Sequence, residues 1–120
     1  MKIAVSAQGK DLDSSVDPRF GRAPYFIIID PDTMEYEAID NKQNLNLPQG
    51  AGVQAAMTVI GKEAKVLLTG NCGPKAFKTL KAASVDVITG VKGTVKEAVE
   101  KFKKGEYKVA SGPSVQSHWS

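Results

Sequence analysis

The sequence predicts an α/β domain in which a mixed sheet of about five strands carries helices on both faces. Three observations predict it. Short apolar runs alternate along the chain with stretches whose apolar residues recur at helical spacing. Residues 25–39 have the composition of an antiparallel hairpin, and loops rich in Gly, Pro, Asp and Asn separate the elements. A chain of 120 residues suits one such domain.

Taken in order, Ile3, Ala4 and Val5 read as a first strand, followed by a polar loop over 8–18. Tyr25 to Ile29 is an aromatic and β-branched run. Asp30, Pro31, Asp32 and Thr33 make a turn, after which Met34, Tyr36 and Ala38 alternate with Glu35 and Glu37 as in a half-exposed strand at a sheet edge. A polar loop covers 41–49. Val53, Ala56, Met57 and Ile60 then stand at i, i+3, i+4 and i+7, one face of a helix. Val66, Leu67 and Leu68 form the continuous apolar run of a strand buried on both faces, and Gly70-Asn71-Cys72-Gly73 turns the chain into a helix that opens on Pro74. At that position a missing N–H costs nothing, and Ala76, Phe77 and Leu80 supply the apolar stripe. A short strand follows over 85–88. Gly90 and Gly93 punctuate, and Val95, Ala98, Val99 and Phe102 repeat the helical spacing. From Ser111 onward there is no period, so the domain is expected over 1–108, with 109–120 a flexible tail. Right-handed crossovers between the parallel strands then gather the loops 17–23, 49–52, 70–73 and 90–93 at one end of the sheet.

Composition narrows the function classes. Apolar residues make up 42% and charged residues 24%, the balance of a water-soluble domain. No run approaches the roughly 18 apolar residues of a membrane span, so no membrane partner is expected. Met1 opens directly into Lys-Ile-Ala-Val-Ser, a strand rather than a signal peptide, and a lone cysteine forms no internal disulfide; both point to the cytoplasm. The net charge of +3 is dispersed along the chain, which biases it toward anions without arguing for nucleic acid.

The chemistry concentrates where the central strand meets its helix. Free N–H groups and the positive end of the helix dipole make that glycine turn a candidate anion site, beside the C-terminal ends of strands where open α/β sheets collect ligands. Cys72 stands at its mouth. Competing motifs carry less. Gly50-Ala51-Gly52-Val53-Gln54-Ala55 matches G-x-G-x-x-A, but a polar loop precedes it where a dinucleotide fingerprint needs a strand. A nucleophilic Cys72 would have Lys75 and Lys78 instead of an arginine, and no nearby histidine to activate it. Asp11, Asp13 and Asp17 share a single loop and read as turn formers rather than magnesium ligands.

Arg19-Phe20-Gly21-Arg22-Ala23-Pro24-Tyr25-Phe26, with Gly50-Ala51-Gly52 opening one helix and Thr69-Gly70-Asn71-Cys72-Gly73-Pro74 opening another, resembles the dinitrogenase iron-molybdenum cofactor-binding family over residues 1–108. The short stand-alone length resembles the branch that includes the molybdenum-copper orange protein of sulfate reducers. The resemblance implies a ribonuclease-H-like three-layer α/β/α fold with a mixed sheet. It also implies binding of an anionic metal-sulfide cluster, either a molybdenum-copper sulfide or an iron-molybdenum-sulfur cluster, as carrier, store or assembly site rather than as an enzyme, with protein partners for cluster delivery. The binding residues it implies are Arg19, Phe20, Gly21, Arg22, Gly50, Gly52, Gly70, Asn71, Cys72, Gly73, Gly90 and Gly93. Such a polyanion asks for N–H donors, permanently charged guanidinium groups and close backbone approach at glycine. Cys72 is a candidate metal ligand, in which case the helix N-terminus and the arginines would lower its pKa. A single thiolate is sparse anchorage for a multinuclear cluster, and Cys72 reads better as a wall of the site. His118, in the tail beside Trp119, is a remoter candidate ligand. The rival readings are a thiol-dependent enzyme using Cys72 and a regulatory or scaffolding protein with a vestigial pocket.

Overall fold

The computed structural model describes residues 1–44, 47 and 49–115. Its organising strand is β1, Lys2–Ala7, in which every residue after Lys2 is buried. A strand so apolar on both faces belongs in the middle of a sheet, and β1 lies there. On one side it pairs antiparallel with β2, Tyr25–Ile29, in the register Ile3↔Ile29 to Ala7↔Tyr25. On the other it pairs parallel with β4, Ala64–Leu68, with a register shift between Lys2 and Ile3. The hairpin partner β3, Tyr36–Asp40, forms one edge, and β5, Asp86–Ile88, parallel to β4, forms the other. The five-stranded order is β3-β2-β1-β4-β5, a mixed sheet with the hairpin's second arm at the edge, as the sequence predicts.

Alternation along each strand sends apolar side chains to two separate cores. On one face Ala4, Phe26, Ile28, Leu67 and Val87 pack with Ala55, Ala56 and Val59 of α1, Ala51–Gly61, and with Ala76 and Leu80 of α2, Pro74–Ala82. On the other, Ile3, Val5, Ile27, Ile29, Val66, Leu68 and Ile88 pack with Val95, Ala98 and Val99 of α3, Val95–Lys103. The result is three layers, α/β/α. Helix α3 starts in a capping box: Glu97 N donates to Thr94 Oγ1 at 3.1 Å while Thr94 N donates to Glu97 Oε1 at 2.8 Å.

Two local expectations change. In α1 the buried face is Ala51, Gly52, Ala55, Ala56 and Val59, whereas Met57 is 56% exposed and Val53 and Ile60 are half-buried. The small side chains let α1 approach the sheet and α2 closely, so the bulkier stripe is rotated to the flank. In the hairpin, Met34 belongs to the turn and not to β3. Asp30 Oδ1 accepts from Asp32 N at 2.9 Å, Met34 N closes back onto Asp30 O at 2.7 Å, and Met34 takes φ 65°. The strand therefore begins at Tyr36, whose side chain is exposed, and Ala38 and Ile39 are its half-buried residues.

Candidate functional site

The strand directions decide where the loops meet. Strands β1, β4 and β5 are parallel, so the segments leaving them share one end of the sheet. Because β2 is antiparallel to β1, the segment entering it, 17–24, is at that end too. Strand β3 runs back toward it, so 41–44 and the start of α1 join them. All four loops expected to cluster do so.

Direct bonds tie the Arg19 loop to the glycine turn. Phe20 N donates to Asn71 O at 3.2 Å, Asn71 Nδ2 donates to Pro18 O at 3.1 Å, and Arg19 and Asn71 form a parallel bridge. Gly90 N donates to Gly70 O at 2.8 Å, which brings in the segment after β5. Under this junction the buried Ser6 hydroxyl lies 2.7 Å from Thr69 Oγ1 and donates to Asp17 O at 2.8 Å. Gly70 is required here by close packing: a Cβ at this position would stand 2.5 Å from Pro18 Cα and 2.9 Å from Pro18 O. Gly93 lies farther round, its carbonyl accepting from Val16 N at 2.9 Å.

The cations at this end have different roles. The Arg19 side chain is 49% exposed, its Nε 3.8 Å from Asp17 Oδ1, and the same carboxylate oxygen accepts from Arg19 N at 2.8 Å. Burial pushes the Asp17 carboxyl above its ordinary value, and the amide bond and charge of Arg19 oppose that shift. Arg22 turns inward: its Nη1 donates to Asn44 O at 3.1 Å and to Leu47 O at 2.7 Å, clasping the loop before α1. Lys10 and Lys42, which sequence reasoning passed over, place their ammonium groups 5.6 and 4.8 Å from the Tyr25 ring centroid. The usable signal was their place just beyond the ends of β1 and β3. Lys75 is exposed in the first turn of α2.

The remaining candidates divide by burial. Phe20 is fully buried, its ring 5.2 Å from that of Phe26, and serves the core. Gly21, Gly52 and Gly73 are buried, Gly50 caps α1 with φ +83°, and Gly90 and Gly93 are exposed with φ +75° and +89°. Cys72 is 1% exposed within the apolar cluster that includes Phe20, Phe26 and Ala76, with Sγ 3.7 Å from Gly73 O. Burial pushes its thiol up to about 12, the reverse of the lowering expected for a ligand thiolate, so in this conformation Cys72 is neutral at pH 7. The turn then enters α2 through Gly73 in extended conformation, with Pro74 in the first helical turn.

Sequence reasoning missed Ser114. Its amide donates to Cys72 O at 3.0 Å and its Oγ accepts from Cys72 N at 2.9 Å, across 42 positions of sequence, with no local pattern to announce the contact. Of the segment 109–120 expected to be a tail, Ala110 is also bonded, its N donating to Val87 O at 2.7 Å. His118 lies outside the described residues. Among the described residues no group of three or more His, Cys, Asp or Glu is placed to hold a metal ion, and no helix is long and apolar enough to cross a membrane. At the opposite end of the sheet, Lys2, Ile28, Asp30, Glu35, Tyr36 and Glu37 line an open depression of about 290 Å³ that shares no residue with this site.

The family model described as dinitrogenase iron-molybdenum cofactor matches residues 1–105. The apo form of the orange protein of Desulfovibrio gigas is 45% identical, with a TM-score of 0.93 over 95% of this chain and 96% of that one. A Thermotoga protein assigned to the DUF35 family is 35% identical, with a TM-score of 0.81 over 95% of this chain and 97% of that one. An uncharacterized protein of Methanocaldococcus jannaschii is 28% identical over 109 residues, 88% of each chain.

Proposed function

Since this chain belongs to the dinitrogenase iron-molybdenum cofactor family, we propose that it binds an anionic molybdenum-containing metal-sulfide cluster, of Mo-Cu-S or Fe-Mo-S type, at the loop end of its sheet. The cluster is cargo, and the protein is its cytoplasmic carrier, store or assembly site. The observation that carries this reading is the bonded junction of the Arg19 loop with the Gly70–Gly73 turn, which pairs the backbone of the half-exposed Arg19 with the turn that enters α2. The donor set suits a diffuse polyanion: Arg19 brings permanent charge, Lys10, Lys42 and Lys75 add to the field of the same sheet end, and the first turn of α2 leaves amides without intrahelical partners. Arg22 contributes by holding the loop that opens α1. A buried, neutral Cys72 supports retention by charge and N–H donors, with sulfide making the metal bonds, over both a thiolate-ligated cluster and thiol-dependent catalysis.

The test begins with protein isolated from its native host, read by visible absorption and metal analysis, and continues with reconstitution of wild type, Arg19→Ala and Cys72→Ala. The expected result is stoichiometric molybdenum and sulfide in the wild type, weaker and more salt-sensitive retention in Arg19→Ala, and an unaltered chromophore in Cys72→Ala. Absence of molybdenum from native and reconstituted protein would overturn the proposal.

A further inference from the structure

Beyond α3 the chain returns to the loop end of the sheet and is pinned there by backbone bonds. Ala110 N reaches Val87 O at 2.7 Å on β5, the edge strand, and Ser114 meets Cys72 in both directions, N to O at 3.0 Å and Oγ from N at 2.9 Å. This stretch forms no helix or strand, and Ser111, Pro113 and Ser114 are exposed. Little apolar burial holds it, so these few bonds set its position and its opening is inexpensive. Their location is the informative part. The Cys72 amide belongs to the glycine turn, and the Ser114 hydroxyl oxygen occupies it in the way an anion's acceptor atom would.

We propose that residues 110–115 are a strap closed over the glycine turn, and that an anionic cargo gains the Cys72 amide only when Ser114 releases it. The inference rests on the reading of this turn as the anion site. A hydrogen bond from the amide to an anion is roughly twice as strong as one to a neutral hydroxyl. The cargo therefore displaces Ser114 on entry, and the strap closes again when the cargo leaves. The strap shields the empty turn and governs the rate of loading more than its extent.

The test uses the full chain with Ser114→Ala, which removes the acceptor oxygen, and Ser114→Pro, which removes the amide donor as well. Two quantities are measured: exchange of the Cys72 backbone amide, and the rate of uptake of tetrathiomolybdate by visible absorption. Ser114→Ala loses the bond from the Cys72 amide and the longer 3.4 Å bond from the hydroxyl to Cys72 O, and Ser114→Pro loses the 3.0 Å amide bond as well, so Cys72 exchange should quicken at least roughly fivefold in Ser114→Ala and at least roughly thirtyfold in Ser114→Pro, with uptake rates rising in the same order. Position 114 is exposed, and unchanged exchange at the β1 amides verifies the fold. Faster exchange without faster uptake overturns the gate while cluster binding stands. Unchanged Cys72 exchange overturns the closed strap itself. No uptake by any of the three proteins overturns the gate together with the proposed function.

Discussion

Replacing Gly70 by Ala is expected to damage the site through the scaffold and not through lost contact with cargo. The added methyl would sit 2.5 Å from Pro18 Cα and 2.9 Å from Pro18 O, both below any ordinary approach, and both atoms are backbone. No rotamer change relieves that clash; the 17–24 loop must move, pulling on Phe20 N→Asn71 O and Asn71 Nδ2→Pro18 O. Overpacking of this kind costs about 1–3 kcal/mol, and with rigid neighbours and two bonds at stake the expected loss is about 2–3 kcal/mol. Gly90→Ala is the control. At φ +75° with nothing within 4 Å of its Cβ position, it has only the left-handed conformation to penalise it, about 1 kcal/mol. Urea unfolding at constant m measures both, and the Cm of Gly70→Ala should fall clearly further. If Gly70→Ala unfolds within about 0.5 kcal/mol of wild type, the close packing of Pro18 on the turn is not what holds the junction.

The buried thiol carries a pH signature. Its pKa rises from 9.0 to about 12 on folding, so the native state holds the proton more tightly. The associated stability is complete below pH about 9 and is lost as pH climbs toward 12, by about 4 kcal/mol at the limit. The stability advantage of wild type over Cys72→Ala should therefore shrink steadily above pH 9, and a constant gap from pH 7 to 11 would refute the burial account. Thr94→Ala should cost about 1 kcal/mol by removing the cap of α3, with thermal unfolding as the measurement. Arg22→Ala should cost about 1–2 kcal/mol and speed amide exchange at Asn44 and Leu47, since its guanidinium nitrogen bonds the carbonyls of those two residues; undisturbed exchange there would leave Arg22 without the clasping role.

The sheet was legible because its strands carry their burial in their composition. The Ile27, Ile28, Ile29 run and the Val66, Leu67, Leu68 run have no polar residue to face water, so each had to be interior whatever its neighbours. The hairpin turn was legible from Asp30-Pro31-Asp32-Thr33, because Asp side chains bond their own following amides. Helix α1 misled because its chemistry runs against size. Larger apolar residues marked one face, while the buried face has only Val59 beside Ala51, Gly52, Ala55 and Ala56, small residues that periodicity scores weakly and close helix packing demands.

The site was readable as a place and less so as a set of roles. Sequence alone determined that the glycine-bearing loops share one sheet end, since strand order and crossover handedness leave few alternatives, and it determined that one cysteine enters α2 among small turn residues. Only the tertiary structure assigned the work of each residue. Gly70 is glycine because Pro18 presses on it, Arg22 is spent on loop carbonyls while Arg19 faces solvent, Phe20 is core, and Ser114 takes the Cys72 amide. The roles of Arg22 and Ser114 depend on partners 22 and 42 residues away in the chain, and a local pattern records what a residue can bond but not which distant backbone atom folding will bring against it.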